Sequence, residues 1–349
     1  MEAGPSGTSG SWRQVKKLSI VIVSYNTRGL LLDCLRSIVA FGPSIPYEVI
    51  VVDNGSKDGS VAAVAAEFPG VILIANSDNC GFAAANNQGL RRSTGDYVLV
   101  LNSDAKLTAG ALEDLIQYLE DNPEAAAAGP MLLNADGSFQ RSFFPFPSAG
   151  KTLVHILGLD GCILRILRLR PLGGLATAMG VSRLSTPDPG QRVPQKVAYV
   201  LFACVMLRRA ALEKVGLFDE NLFFYHEDCE FGYRLARAGL GVWWVPSSQA
   251  VHFGGGSSRS VPRESFRHFY ESLLRVFEKH QGRMATLALR VAIFVGFVTR
   301  ASFTPLGAYR SLHIPSTYEE AGPRPKPAFG PAWDRLCYYG SLAALAWRR

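Results

Sequence analysis

Glu48-Val-Ile-Val-Val-Asp-Asn-Gly-Ser56 decides the architecture of this chain. A β-branched apolar run that stops at Asp-Asn-Gly reads as a short buried strand closed by a turn. The design recurs at Leu18–Tyr25, Val71–Ala75 and Tyr97–Leu101, the last running into Asn102-Ser103-Asp104. Between these strands, Arg28–Ala40, Ser60–Phe68, Ala83–Arg92 and Ala109–Glu120 read as helices. Thr108 is the expected N-cap of the fourth, which stops before Asn122-Pro123. Repeated strand–helix units predict an α/β fold with a mainly parallel sheet flanked by helices, and such sheets bind ligands at the carboxyl ends of their strands. Asp53 and Asp104 are therefore expected at one rim. A carboxylate there reads a ribose or base, or holds a divalent cation against a diphosphate.

Outward from this core the pattern changes after Gly129-Pro130. The organisation read from the sequence is a small polar tail at 1–17, a nucleotide-sugar-binding α/β half at 18–130, an acceptor-binding and catalytic half at 131–260, and a basic helical region at 261–349. Within the second half, 135–196 is rich in proline and glycine, and a segment of that length with weak periodicity reads as a functional flap. Val197–Leu207 regains strand character, Glu227–Ala238 reads as a helix ended by Gly239, and Val242–Val245 and Ala250–Phe253 read as two strands. Phe266, Phe269, Tyr270, Leu273, Leu274 and Phe277 then recur at helical spacing. Met284–Val298 is apolar apart from Arg290; it is shorter than the roughly 20 residues that span a bilayer and is expected to lie in the membrane interface. Pro305–Pro331 reads as an irregular connection.

With 349 residues and 48% hydrophobic content, the chain buries a sizeable core and is neither a disordered tail nor a small stapled scaffold. Its six cysteines stand singly, so neither a zinc knuckle nor a disulfide framework is indicated and a reducing, cytoplasmic compartment fits. Met1–Gly10 has no apolar stretch of the kind a secretory signal needs. The formal charge of +7 gathers at Arg13–Lys17, Arg165–Arg170 and from Arg259 onward. Basic residues beside apolar runs suit an anionic membrane surface or a phosphate-bearing lipid, not nucleic acid.

The motifs, in their order and spacing, resemble the inverting family-2 glycosyltransferases of the GT-A (nucleotide-diphospho-sugar transferase) fold, and among them the bacterial rhamnosyltransferase-like branch. The resemblance runs from about Leu18 to His280. It is carried by residues 19–26 (Ser-Ile-Val-Ile-Val-Ser-Tyr-Asn), 51–56, 79–87 (Asn-Cys-Gly-Phe-Ala-Ala-Ala-Asn-Asn) and 95–104, then 136–140 (Asp-Gly-Ser-Phe-Gln), 215–220, 223–228 (Phe-Phe-Tyr-His-Glu-Asp) and 251–257.

The resemblance implies a role for each. Asp53 contacts the base or ribose, flanked by Tyr25 and Asn26. Asn79, Gly81 and Asn86 belong to a turn that approaches the donor. Asn102, Ser103 and Asp104 stand where the family has its Asp-x-Asp metal motif, with Asp104 as ligand to Mg²⁺ or Mn²⁺ and His252 as a second. Asn102 replaces the first acid, so one formal charge is missing. Asp228 takes the acceptor proton and Glu227 helps to orient the acceptor or the base; Glu230 is expected in a solvated or ion-paired role. Arg259 and Arg263 stabilise the leaving diphosphate, and Phe224 and Tyr225 wall the acceptor. The implied donor is dTDP-L-rhamnose, with UDP-hexose, UDP-hexosamine and UDP-galactofuranose open, and the implied acceptor is a polyprenyl-diphosphate-linked sugar or growing polysaccharide. Peripheral attachment to the cytoplasmic membrane face is expected. The rival from another class is a non-catalytic sugar-nucleotide or glycan-binding protein on the same fold.

Overall fold

The computed structural model describes residues 17–157, 193–254, 262–303 and 332–347. A ten-stranded sheet organises the described residues. Strands β1 (Leu18–Ser24), β2 (Tyr47–Asp53), β3 (Ile72–Ala75) and β4 (Tyr97–Asn102) lie parallel in the order β3-β2-β1-β4. Register aligns their carboxyl ends, with Ser24 beside Asp53 and Val23 beside Asn102. Both acidic turns therefore emerge at one rim.

Strand alternation divides the core. Ile20 and Ile22 point to the side covered by helix α1 (Arg28–Phe41), with Leu31, Leu35 and Ile38, and by Val64 of α2 (Ser60–Glu67). Val21 points to the other side, against α3 (Phe82–Arg92). All three strand residues are fully buried, each contributing about 1.5–3 kcal/mol. Helix α3 comes so close that a Cβ on Gly89 would lie 2.4 Å from Val21 Cγ1.

Past β4 the sheet becomes mixed. Strands β5 (Ala105–Leu107) and β6 (Ala125–Leu133) bracket helix α4 (Ala111–Asp121). β6 pairs antiparallel with β11 (Cys204–Arg208), itself antiparallel to β4, and parallel with β12 (Gly241–His252), which β5 flanks at the edge. The sheet thus runs unbroken across residue 130. β6 escapes a reading based on β-branching because it opens Ala-Ala-Ala-Ala-Gly. Small side chains suit it, since Ala125 and Ala128 pack beneath Leu112, Leu115 and Leu119 of α4.

Three expectations are corrected. Thr108 does not cap α4: the N-cap is Gly110, and the Thr108 hydroxyl donates to the Gln249 carbonyl at 2.8 Å. Val197–Leu207 is not one strand. It divides into β9 (Gln195–Val197) against β12, β10 (Tyr199–Val200) against β8 (Phe143–Phe144), and β11. Conversely, the two strands expected between Val242 and Phe253 are one, β12, with a register shift between Val245 and Gln249 that accommodates Pro246.

From the expected flap, β7 (Phe139–Gln140), β8 and α5 (Ala149–Ile156) are described, while Arg165–Arg170 lies outside the described residues. Helices α6 (Arg209–Val215) and α7 (Glu227–Arg237) cover the α3 side of the sheet through Leu212, Phe231 and Leu235. The C-terminal helices α8 (Pro262–His280), α9 (Arg283–Phe303) and α10 (Ala332–Leu345) enclose a further core. Tyr270, Leu273, Leu274 and Phe277 of α8 meet Leu289, Ile293 and Phe297 of α9 there. Arg290 is paired with Glu278 and donates to the Ala346 carbonyl at 2.6 Å. No helix among the described residues is long and apolar enough to cross a membrane. Pro305–Pro331 lies outside the described residues.

Candidate active site

At the rim, the chain leaves β1 through half-buried Tyr25 and exposed Asn26, whose φ of +52° makes the turn. Asn26 clips onto the neighbouring turn: its N–H donates to Ser56 Oγ at 2.9 Å and its Oδ1 accepts from the Lys57 N–H at 2.8 Å. Asp53, 1% exposed, divides its oxygens. Oδ2 accepts from the Ser56 N–H at 2.9 Å, whereas Oδ1 is buried without a partner among the described residues. The first is ordinary turn chemistry; the second is an acceptor waiting for a donor. Ser103 is tied to the same rim, its Oγ 2.9 Å from Thr27 Oγ1, which is 3.0 Å from Ser24 Oγ. Asn102 Oδ1 is a second buried acceptor without a described partner.

The Asn79–Asn87 turn is held from within. Asn79 Oδ1 accepts from Asn54 Nδ2 at 2.8 Å and from the Gly81 N–H at 3.0 Å. Asn86 Nδ2 donates to the Phe82 carbonyl at 2.9 Å, and its Oδ1 is buried without a described partner. Gly81 has φ +90°, and a Cβ there would lie 2.7 Å from the Phe223 carbonyl oxygen, which accepts the Phe82 N–H at 2.8 Å. The Gly81 and Phe82 N–H groups are thus engaged inside the protein. The Phe82 bond joins the Asn79–Asn87 turn to the loop at Phe223.

That loop leads into α7 through Tyr225 (φ +71°) and His226 (φ +67°). Consecutive left-handed residues that are not glycine store about 1–3 kcal/mol each, a cost met at functional turns. Glu227 and Asp228 follow in the first helical turn, 5% and 8% exposed. Burial, with the Asp228 charge beside it, pushes the Glu227 carboxyl well above the usual range. Two carboxyl groups thus stand in adjacent positions at the positive end of the helix, which favours negative charge there. Phe224 and Tyr225 contact each other at 4.1 Å between centroids, and Tyr225 lies 5.8 Å from Phe269 of α8. They form an aromatic wall backed by the C-terminal region.

Glu230, one turn on, is the ion-paired residue expected. Although 1% exposed, it lies 2.9 Å from Arg234 Nε, 2.7 Å from Lys279 Nζ and 3.3 Å from His280 Nε2. These contacts bolt α7 to α8. Arg263 packs over the Tyr338 ring at 5.6 Å, and its carbonyl accepts from the Tyr338 hydroxyl. Arg259 lies outside the described residues.

Asp104 and His252 do meet. Ala105 pairs with His252 across β5 and β12, and the Phe253 N–H donates to the Asp104 carbonyl at 2.9 Å, so two strands hold the residues together. His252 Nε2 is 3.3 Å from Asp104 Oδ1, with both side chains 9% exposed. No cluster of three metal-ligating side chains occurs among the described residues. One carboxylate and one imidazole nevertheless fit a divalent cation whose remaining shell is phosphate oxygens and water. The residue without an assigned role in the sequence is Gln140, whose Oε1 is 2.7 Å from His252 Nδ1. Its signal is faint: a polar residue facing inward on a two-residue strand after an Asp-Gly turn.

Comparison with known proteins places this geometry in a family. The model for glycosyl transferase family 2 matches residues 19–216, and that for glycosyl transferase family group 2 matches residues 178–313. The chain is 28% identical over 278 residues to the N-acetylglucosaminyl-diphospho-decaprenol L-rhamnosyltransferase of Mycobacterium tuberculosis, covering 76% of this chain and 85% of the relative. It is 24% identical over 301 residues to a low-salt glycan biosynthesis hexosyltransferase of Haloferax volcanii, covering 82% and 85%. The solved structure of GalNAc-T7 with UDP, GalNAc and Mn²⁺ superposes with a TM-score of 0.53 at 16% identity, over 76% of this chain and 48% of that one, a likeness of fold. The chain belongs to glycosyl transferase family 2 and is a rhamnosyltransferase-like glycosyltransferase of the GT-A fold.

Proposed function

We propose that this enzyme is a metal-dependent, inverting transferase that moves L-rhamnose from dTDP-L-rhamnose to a polyprenyl-diphosphate-linked sugar in cell-wall or surface-glycan assembly. The observation that carries the mechanism is the convergence of Asp53, Asp104 and His252 on one rim of the sheet. The unpartnered Asp53 Oδ1 suits the imide N–H of thymine or uracil, so it supports a pyrimidine donor without choosing between them. The preference for rhamnose rests on the mycobacterial relative.

Asp104 and His252 would hold the cation, and Mg²⁺ or Mn²⁺ bound there supplies positive charge that offsets the departing diphosphate. Asp228 accepts the proton of the acceptor hydroxyl. That oxygen bonds to the anomeric carbon as the carbon–phosphate oxygen bond breaks, so the nucleoside diphosphate leaves and the anomeric configuration inverts. Burial raises the Glu227 carboxyl well above its usual range, which disfavours a second negative charge beside the base. The test is nucleotide release from dTDP-, UDP- and GDP-sugars with a membrane extract as acceptor source, with and without Mn²⁺. Release from dTDP-L-rhamnose that EDTA abolishes is expected. Turnover confined to a UDP-sugar would reassign the donor, and full turnover in EDTA would end the metal assignment. Nucleotide binding without turnover on any donor would favour the non-catalytic reading.

The acceptor's lipid also has a surface to meet. Met284, Leu287, Val291, Phe294, Val295 and Val298 of α9 are exposed by 79, 47, 44, 40, 41 and 39% and recur at helical spacing, facing away from the Leu289–Ile293–Phe297 core. Trp347, 52% exposed, extends the stripe with its ring 6.2 Å from Phe294. An apolar face edged by Trp and bordered by Arg283 suits the headgroup boundary of an anionic bilayer. Leu287→Glu with Phe294→Glu is expected to lower partitioning onto phosphatidylglycerol vesicles about tenfold or more. Undiminished binding would remove this face from the membrane.

A further inference from the structure

The metal assignment requires His252 to present a lone pair at Nε2, and an isolated neutral imidazole has no fixed choice of which nitrogen carries the proton. Gln140 makes that choice. It is fully buried on β7, and its Nε2 donates to the His252 carbonyl at 3.2 Å and to Asn134 Oδ1 at 2.8 Å. A main-chain carbonyl only accepts, so this end of the amide is the NH₂ and the other is the oxygen. Asn134 is oriented in the same way, its Nδ2 lying 2.9 Å from Ser138 Oγ and 3.4 Å from the Phe139 carbonyl. The end of Gln140 that meets His252 Nδ1 at 2.7 Å is thus Oε1, an acceptor, and Nδ1 must carry the proton. In the neutral ring Nε2 then keeps the lone pair, 3.3 Å from Asp104 Oδ1. Two such atoms held together in a nearly water-free spot repel each other unless a proton or a metal ion lies between them.

We propose that Gln140, oriented by Asn134, is the positioning residue that fixes the His252 tautomer and so turns the Asp104–His252 pair into a cation site, an inference that rests on the metal-dependent reading above. Sequence 134–140 thereby gains a purpose: its turn delivers one amide to the back of a ligand. The residue touches neither sugar nor phosphate in this assignment, and its effect is exerted through the imidazole.

The first readout needs no variant of Gln140. Long-range ¹⁵N–¹H NMR of the full chain in mildly alkaline, metal-free buffer, with the His252 signals identified by their loss in His252→Gln, is expected to show the proton on Nδ1 alone. A proton on Nε2 would overturn the proposal. The second compares wild type with Gln140→Met, which keeps volume and removes both hydrogen-bonding ends. Mn²⁺ affinity in the presence of dTDP, read by electron paramagnetic resonance, is expected to fall about 10–100-fold, with metal-free dTDP affinity unchanged. Unaltered Mn²⁺ affinity in the variant overturns the role of Gln140 alone. Absence of Mn²⁺ binding in wild type overturns the metal reading and this proposal with it.

Discussion

Asp228→Asn is expected to cut the transfer rate by about 10²–10⁴-fold, the range general-base catalysis supplies, while nucleotide affinity stays within about twofold of wild type. The substitution is nearly isosteric and keeps an oxygen to accept the Cys229 N–H, now received at 2.7 Å, so the first turn of α7 is preserved. What it removes is basicity. The buried neighbour is poorly placed to replace it: burial disfavours the charged form of Glu227, and its Oε1 is buried. Steady-state kinetics with saturating acceptor, alongside calorimetry with the nucleotide, separates the two effects. A fall in nucleotide affinity matching the fall in rate would show that Asp228 serves the donor, and an unchanged rate would remove it from proton transfer.

Glu230→Ala is expected to cost about 3–5 kcal/mol of stability, because deleting one partner of a buried ion pair strands the rest. Arg234 is 17% exposed and keeps only carbonyl acceptors once Glu230 is gone; Lys279, 42% exposed, retains Asp219 and loses less. The imidazole of His280 is fully buried, and burial depresses its basicity, so it offers a neutral contact more than a countercharge. Chemical denaturation of the full chain would report the loss. The variant is further expected to lower the maximal rate more than nucleotide affinity, since Glu230 fastens the helix that carries Asp228. Stability within 1 kcal/mol of wild type would make the cluster a surface contact.

How far the chain was legible follows from which residues act locally. β1, β2 and β4 were plain because Ile, Val and Leu mark strands buried on both faces, and their acidic ends then had to share a rim. β6 was hidden by its alanines, and β5 by its brevity. Asp53, Asp104, Asp228 and His252 were proposed from motif context, and their surroundings came only with the fold. Gln140 and His252 stand 112 positions apart, as do no two members of any local motif, and their contact exists because β7 and β12 both flank β6. The asparagines of 79–87 show the opposite case: types suited to donor binding spend much of their hydrogen-bonding capacity on the chain itself, where Asn87 grips Phe218 from both sides at 2.9 Å.

The bolt at Glu230 has a geometric meaning as well as an energetic one. Asp228 rides on α7, α7 is fastened to α8, and α8 shares its core with α9, whose outer face carries the apolar stripe. Packed helices therefore set the height of Asp228, the proposed base, above that stripe. The stack is a ruler. On the proposed reading, with α9 on a bilayer, it would select acceptors by how far their reactive hydroxyl stands from the lipid, independently of which sugar bears it.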